Sequence, residues 1–542
     1  MTDIVSEAYS QEVETAPMRW IVFIKFAIFI RATVTSGDFW SFPQKPTLLD
    51  MKTFAAICLI FLVISTFAQK APKFTKAKAI INDYISNKKF PSISIAVVKE
   101  GKIIWEEGFG YADIENKRKA TPATPYYTAS ITKTMTATAL MKMAEQGLIN
   151  LDSQVNKYLK RWKVTSYRWD ANRATVKSVM SHTSGLTTFN FWCRTDSLSC
   201  AKMDDEVMSR YAKLLSTPGH FDYSNIGYGV LDHVIRDVSG VTYTEYMRSE
   251  IFQPLGMKNT FVAGNPLPAG VAICYTGAAG SNPVLADYPH SHTYSAGAST
   301  VYSSVHDLAL FAMLHLGDLK KSAVINSGSV KAMQDTVARN GSDYYGLGWW
   351  IDTDYNGYKG LLAQGGTWNA QSWMELIPSE DIAVIVIGNY GDGSPYRAII
   401  NEVLAELLPK FKANMIVASK RPKQQKPDTK EPEPHASKWK GVVKTYKGDI
   451  PVVFKFNGST TSTADFGSLK DIKISNVDIH PNSYSYRIEG DLGLEDMGRP
   501  PYNMNFYLTQ EGDELYGSVQ TGSSMHPDTP TLSFWVEMKR MK

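Results

Sequence analysis

Residues 130–146 carry apolar side chains on several faces, and Gly147 stands where a helix would end. A helix of that kind has no face to give to water, so the rest of the fold must close around it. Its first turn reads Ser130-Ile131-Thr132-Lys133. Residues three apart return to one side of a helix, which brings the Lys133 amine to the Ser130 hydroxyl. Helix-end charge and partial burial both disfavour an ammonium there, and a neutral amine can take the proton from a serine that is otherwise a poor nucleophile. The same S-x-x-K pattern falls at Ser86/Lys89, Ser199/Lys202 and Ser437/Lys440, but of these serines only Ser130 heads a long buried helix.

Two further segments extend the pattern. Tyr223-Ser224-Asn225 places a phenol and an amide two residues apart, on one side of an extended chain. A phenol beside an ammonium sheds its proton more readily, which suits Tyr223 to relay a proton to a leaving group. Asn225 can donate to a substrate carbonyl while accepting from Lys133. The plainer reading makes both of them turn residues after Pro218-Gly219. The third segment, Ala363-Gln364-Gly365-Gly366-Thr367, reads as a strand-entry turn. A backbone N–H from Gly366 or Thr367 can form an oxyanion hole with that of Ser130, since main-chain donors do not depend on side-chain type. Trp349-Trp350 could line a pocket or belong to the core.

At 542 residues the chain has room for two to four domains, and 44% hydrophobic with 20% charged residues is ordinary globular composition. A net charge of +4 with no dense Lys/Arg run argues against a nucleic-acid partner. His290-Ser291-His292 lacks the further ligands a zinc hydrolase needs and reads as a surface loop, so neither metal nor cofactor is expected. The expected partner is a small-molecule or peptide substrate.

Met51-Lys52, the apolar run 54–67 and Ala68 form a signal-peptide pattern over residues 51–68, too short for a spanning helix. Residues 1–50 contain a second apolar stretch interrupted by Lys25 and Arg31, and are expected to lie outside the folded protein. Secretion follows from this reading. Membrane attachment follows instead if the N-terminal apolar segment is retained. Cys193 and Cys200 are close enough to close a small loop in an oxidising compartment, leaving Cys274 unpaired; three buried thiols are the alternative.

Helices are expected over 74–87, 130–146, 205–215, 228–238, 305–316 and 396–408, and strands over 92–99, 102–107, 346–351, 371–376 and 382–387. Helices at both ends of an antiparallel sheet, with an all-helical insertion, define an α+β domain over 69–412. The Pro-, Lys- and Glu-rich stretch 413–436 reads as a solvated linker. Alternating runs after it, at 450–456, 484–489, 502–508, 514–519 and 531–538, describe an all-β domain over 437–542, a small barrel or sandwich.

The strings TASITKTMTATAL, VMSHTSGL, PGHFDYSNIGYGVL, AGASTVYSSVHDLALF and YYGLGWW resemble, in order, the serine β-lactamase and penicillin-binding-protein-like superfamily, on its class C and D-alanyl-D-alanine carboxypeptidase side. The resemblance spans roughly residues 74–410. It implies that Ser130 is acylated, with Lys133 as its amine partner and Tyr223 and Asn225 as the second motif. His182 falls in a segment that looks structural in relatives. The β domain resembles the lipocalin-like module that some of these hydrolases carry. Relatives place K-T-G or H-x-G beside the serine. Here an ungapped count from Ile377-Pro378 sets Ala363 at the cationic position, whereas matching H-G-G sets Gln364 there, and neither carries charge. A hydrogen bond to a charged group contributes about 1.5–3 kcal/mol, so losing that partner disfavours substrates ending in a carboxylate.

Overall fold

The computed structural model describes residues 72–542, except 189–196, 265–266, 278–279, 287–294, 318–323, 420–436, 458–461, 481, 496–501 and 523–530. The leader and preceding segment expected over 1–68, Cys193 and the His290-Ser291-His292 loop lie outside the described residues. So do the side-chain surroundings of Cys200, which falls within the helix Ser197–Tyr211. Among the described residues, no helix is long and apolar enough to cross a membrane, and no group of His, Cys, Asp and Glu could hold a metal ion.

The first part of the described chain, up to helix Pro409–Ser419, is built on a nine-stranded antiparallel sheet. Its strands are β1 Ser92–Lys99, β2 Lys102–Asp113, β3 Arg118–Lys119, β4 Ala338–Asn340, β5 Asp343–Tyr345, β6 Trp350–Tyr355, β7 Tyr358–Thr367, β8 Ala370–Ile377 and β9 Ile382–Gly388, in the order β4-β5-β6-β7-β8-β9-β1-β2-β3. Strand β1 pairs with β9 on one edge and β2 on the other, and it is buried on both faces. Its turn to β2 uses Glu100 and Gly101, both at positive φ (52° and 65°), as a two-residue hairpin with matching twist requires.

Helices α1 Thr75–Ser86 and α5 Tyr396–Leu407 cover one face, packing Ile81, Ile399, Ile400 and Val403 onto Ile93, Ile95 and Val97. Each such burial contributes roughly 1.5–3 kcal/mol. Across the sheet, α2 Thr132–Glu145 and α4 Val305–Leu316 pack Met135, Leu308 and Phe311 near Ala96 and Val98, with α3 Asn225–Ser239 beyond them. Helix α2 is enclosed along its length, as its composition requires; Thr132 through Met141 are all buried. Its threonines tolerate this because Thr134, Thr136 and Thr138 hydroxyls donate to Ile131 O, Thr132 O and Thr134 O.

Several boundaries differ from expectation: the strand expected over 102–107 runs Lys102–Asp113, and the helix expected over 228–238 is Asn225–Ser239. The helix expected over 205–215 is Ser197–Tyr211, and Lys213–Leu214 instead pairs in parallel with Thr165–Ser166. The strand expected over 346–351 begins only at Trp350, because Gly346 to Trp349 form a turn in which Gly346 N–H donates to Trp349 O (2.8 Å). The segment Ala363 to Thr367 is the end of the ten-residue strand β7, not a strand-entry turn. Its two glycines conceal the alternation, while the full register to β8, from Leu361↔Leu376 to Thr367↔Ala370, restores it.

Helix α6 Pro409–Ser419 runs into the stretch expected to be linker, anchored by buried Phe411 against Tyr355 (ring centroids 5.1 Å). Beyond it, β10 Ser437–Thr445, β11 Gly448–Phe456, β12 Thr463–Phe466, β13 Leu469–Lys473, β14 Ser475–His480, β15 Ser483–Gly490, β16 Tyr502–Glu511, β17 Glu514–Gly522 and β18 Ser533–Arg540 form a second nine-stranded sheet. This is an up-and-down meander in which first strand pairs with last, Trp439↔Arg540 to Lys444↔Trp535. Only β13 and β14 do not pair with each other, so the barrel is nearly closed. Its interior is filled by aromatic packing, including Phe454, Tyr486 and Phe506.

The barrel docks on the part of the chain before it through the segment Tyr167-Arg168-Trp169. Arg168 reaches Glu511 (2.6 Å) and Glu514 (3.0 Å) and lies over the Tyr516 ring. Trp169 meets Trp535 edge-on at 5.4 Å, and Ser533 Oγ donates to Thr188 O.

Candidate active site

The turn that carries Ser130 is held from two sides. Thr128 N–H and Oγ1–H both donate to Val301 O (3.0 and 2.7 Å), and Ser372 Oγ from β8 donates to Thr128 O (2.7 Å). Between these anchors Ala129 is forced to φ 45°, a left-handed conformation that a non-glycine residue adopts at a cost of order 1–3 kcal/mol. A short 3₁₀ turn, Ala129–Ile131, then leads into α2.

Strand β7 passes against this turn. A methyl group on Gly365 would fall 2.1 Å from Thr128 O and 2.8 Å from Ser130 N, so only glycine allows the approach. Strand alternation then decides the third motif. Ala363 shares the face of Gly365, is 4% exposed and belongs to the core, whereas Gln364 is exposed on the opposite face, paired with Trp373. Gln364 therefore projects away from the face that Gly365 turns to the serine, and neither it nor Ala363 brings a charge to the strand. Gly366 and Thr367 follow at the strand end, where Gln371 and Asn369 engage them: Gln371 Nε2–H donates to Thr367 O (3.3 Å) and Thr367 Oγ1–H to Asn369 Oδ1 (2.8 Å).

Lys133 Nζ lies 3.0 Å from Ser130 Oγ and donates to Ala298 O at 2.9 Å. The residue is 1% exposed, and burial alone holds its amine well below the usual lysine value. Ala298 is delivered by the short helix Ala296–Ser299, which Asp232 pins by accepting from Gly297 N–H (2.7 Å). That carbonyl was not foreseen; a main-chain acceptor leaves no residue-type signal.

Tyr223 completes the cluster. Its ring centroid lies 4.9 Å from Lys133 Nζ, and Ser130 is the hydroxyl neighbour of its phenol. Burial pushes that phenol up to about 12, with the Ser130 hydroxyl opposing the shift. The expectation that a nearby ammonium would lower it fails, because burial of the phenol itself dominates. Trp350 stacks parallel to Tyr223 at 6.2 Å, whereas Trp349 is fully buried in the core, so the tryptophan pair divides between site and interior.

Asn225 opens α3 directly behind its cap, Ser224, whose Oγ accepts from Gly227 N–H and donates to Thr187 O, both at 2.9 Å. His182 Nδ1 accepts from Ser224 N–H (3.0 Å), and its ring lies 4.4 Å from that of Tyr223. Burial, then the neighbouring Lys133, hold His182 well below its usual value. It is a neutral support for the Tyr223-Ser224-Asn225 segment. Beside it, burial raises the half-buried Asp222 carboxyl to about 6.

A serine hydroxyl, an uncharged amine and a neutral phenol in mutual contact under a strand edge define a site of the serine acyl-transfer type. The chain belongs to the beta-lactamase family, whose model matches residues 77–408. Protein flp from Staphylococcus aureus (strain MW2) is 29% identical over 321 residues, covering 57% of this chain and 62% of its own. The chain thus spans under two thirds of the length of those curated relatives. Among solved structures, the octameric penicillin-binding protein homologue from Pyrococcus abyssi aligns over 86% of this chain and all of its own, at 22% identity and TM-score 0.52. A class C beta-lactamase aligns over 62% of this chain and 98% of its own, at 18% identity and TM-score 0.51.

Proposed function

We propose that the protein is a secreted serine hydrolase that works through a Ser130 acyl-enzyme on esters, amides or D-amino-acid peptides lacking a free carboxylate. The observation that carries this reading is the 3.0 Å approach of a buried, desolvated amine to the Ser130 hydroxyl. In this mechanism Ser130 Oγ attacks the acyl carbon as its proton passes to Lys133 Nζ. The carbonyl oxygen becomes an oxyanion, received by main-chain N–H groups at Ser130 and at Gly366 or Thr367. The ring faces of Tyr223 and Tyr228, 4.9 and 5.7 Å from Nζ, stabilise the ammonium formed at that moment. Tyr223 gives its phenolic proton to the leaving group and recovers one from Lys133. Water then enters in the leaving group's place and the steps reverse, releasing the acid and restoring Ser130. Asn225, at the start of α3, is assigned to hold the substrate carbonyl.

The lack of charge at both candidates for the cationic position, Ala363 and Gln364, supports the choice of uncharged acyl groups, and the 51–68 pattern supports secretion. A fluorophosphonate or penicillin probe is expected to label Ser130, with labelling lost in Ser130→Ala and much reduced in Lys133→Ala. The absent cation also favours a second reading, a catalytically silent binding or assembly protein. No labelling, with no turnover across ester, amide and lactam panels, decides for it.

A further inference from the structure

A cavity of about 660 Å³ lies between the catalytic half and the barrel. Asp222, Tyr223 and His220 line it on one side and Tyr507, Tyr516 and Gln520 of the barrel on the other. Asp222 is next in sequence to the proposed proton relay, and its main-chain N–H, donated to His182 O at 2.8 Å, fixes it there. Among the described residues it forms no ion pair, although a half-buried carboxylate ordinarily acquires one.

Two features of charge thus point the same way. Neither Ala363 nor Gln364, the two candidates for the position where the resemblance implies a cation, carries charge, and the Asp222 carboxylate, with no ion pair among the described residues, faces the cavity on the Tyr223 side. We propose that Asp222 is a specificity-determining residue that binds the ammonium group of an amine-bearing ester or amide across this cavity. The barrel supplies the opposite wall, where Tyr507, large and exposed, offers an aromatic face to the same cation. This deepens the acyl-enzyme reading and rests on it for the placement of the substrate carbonyl.

Binding separates the two. In Ser130→Ala protein, ethyl 6-aminohexanoate and ethyl hexanoate differ in carrying a terminal ammonium, and calorimetric titration at neutral pH compares them. The amine ester is expected to bind at least tenfold more tightly. Adding Asp222→Asn is expected to reduce that ratio at least tenfold, while Asp222→Glu retains most of it. Equal affinities for the two esters, or a ratio unmoved by Asp222→Asn, overturn the proposal. Amine selectivity in binding together with no labelling of Ser130 in the unsubstituted protein overturns the acyl-enzyme reading and leaves the Asp222 assignment standing.

Discussion

Lys133 is where function and stability oppose each other most directly. Its amine is ionised in the unfolded chain below about 10.5, whereas burial holds its folded-state value well below that. The unfolded state therefore binds the extra proton, and stability rises with pH between the depressed folded value and 10.5. Lys133→Met removes that cost. It is expected to raise stability at neutral pH by about 1 kcal/mol or more, read by denaturant titration, while abolishing turnover. Lys133→Arg, which cannot lose its charge, is expected to be inactive at every pH in a rate profile. At Gly365 the expectation is steric: Gly365→Ala sets a methyl group 2.1 Å from Thr128 O, and overpacking of this kind costs typically 1–3 kcal/mol. Activity should fall further than stability, because the displaced atoms belong to the nucleophile's own turn.

At the scale of elements, what the sequence made legible depended on whether the signal was local. Helix α2 and its Ser130/Lys133 pair could be read directly, since i to i+3 geometry is intrinsic to a helix. Strand β7 could not, because Gly365 and Gly366 erase the alternation that marks a strand. Only pairing with β8 establishes the strand that sets Ala363 and Gln364 on opposite faces. The proton affinity of the Tyr223 phenol was not legible for a related reason: burial by distant segments sets it. The third-motif geometry yields its own expectation. Ester-capped peptides should be turned over about tenfold or more faster, in kcat/KM, than the same peptides ending in a free carboxylate, given the lost charge-assisted bond.

For the whole molecule, the barrel is a structural neighbour of the site as well as an appended domain. Its contact combines aromatic burial with one arginine that reaches two carboxylates and stacks on Tyr516. Removing residues 437–542 would uncover Tyr167, Trp169 and Tyr211, leaving an apolar patch where Trp535 and Phe534 now pack. The truncated protein is expected to self-associate in sedimentation or light scattering and to lose discrimination among large esters more than small ones. Trp169→Ala alone should lower the thermal transition by several degrees, in line with the 3–5 kcal/mol typical of deleting a large buried aromatic and scaled down for partial exposure.

The one unzipped seam of the barrel carries a different consequence. Strand β13 is short and exposed, and places Lys470, Asp471 and Lys473 along an edge whose hydrogen-bonding groups no sister strand occupies. Those charges deter an incoming chain from adding itself there. The protein can leave its cylinder open at that line without becoming a template for fibrils.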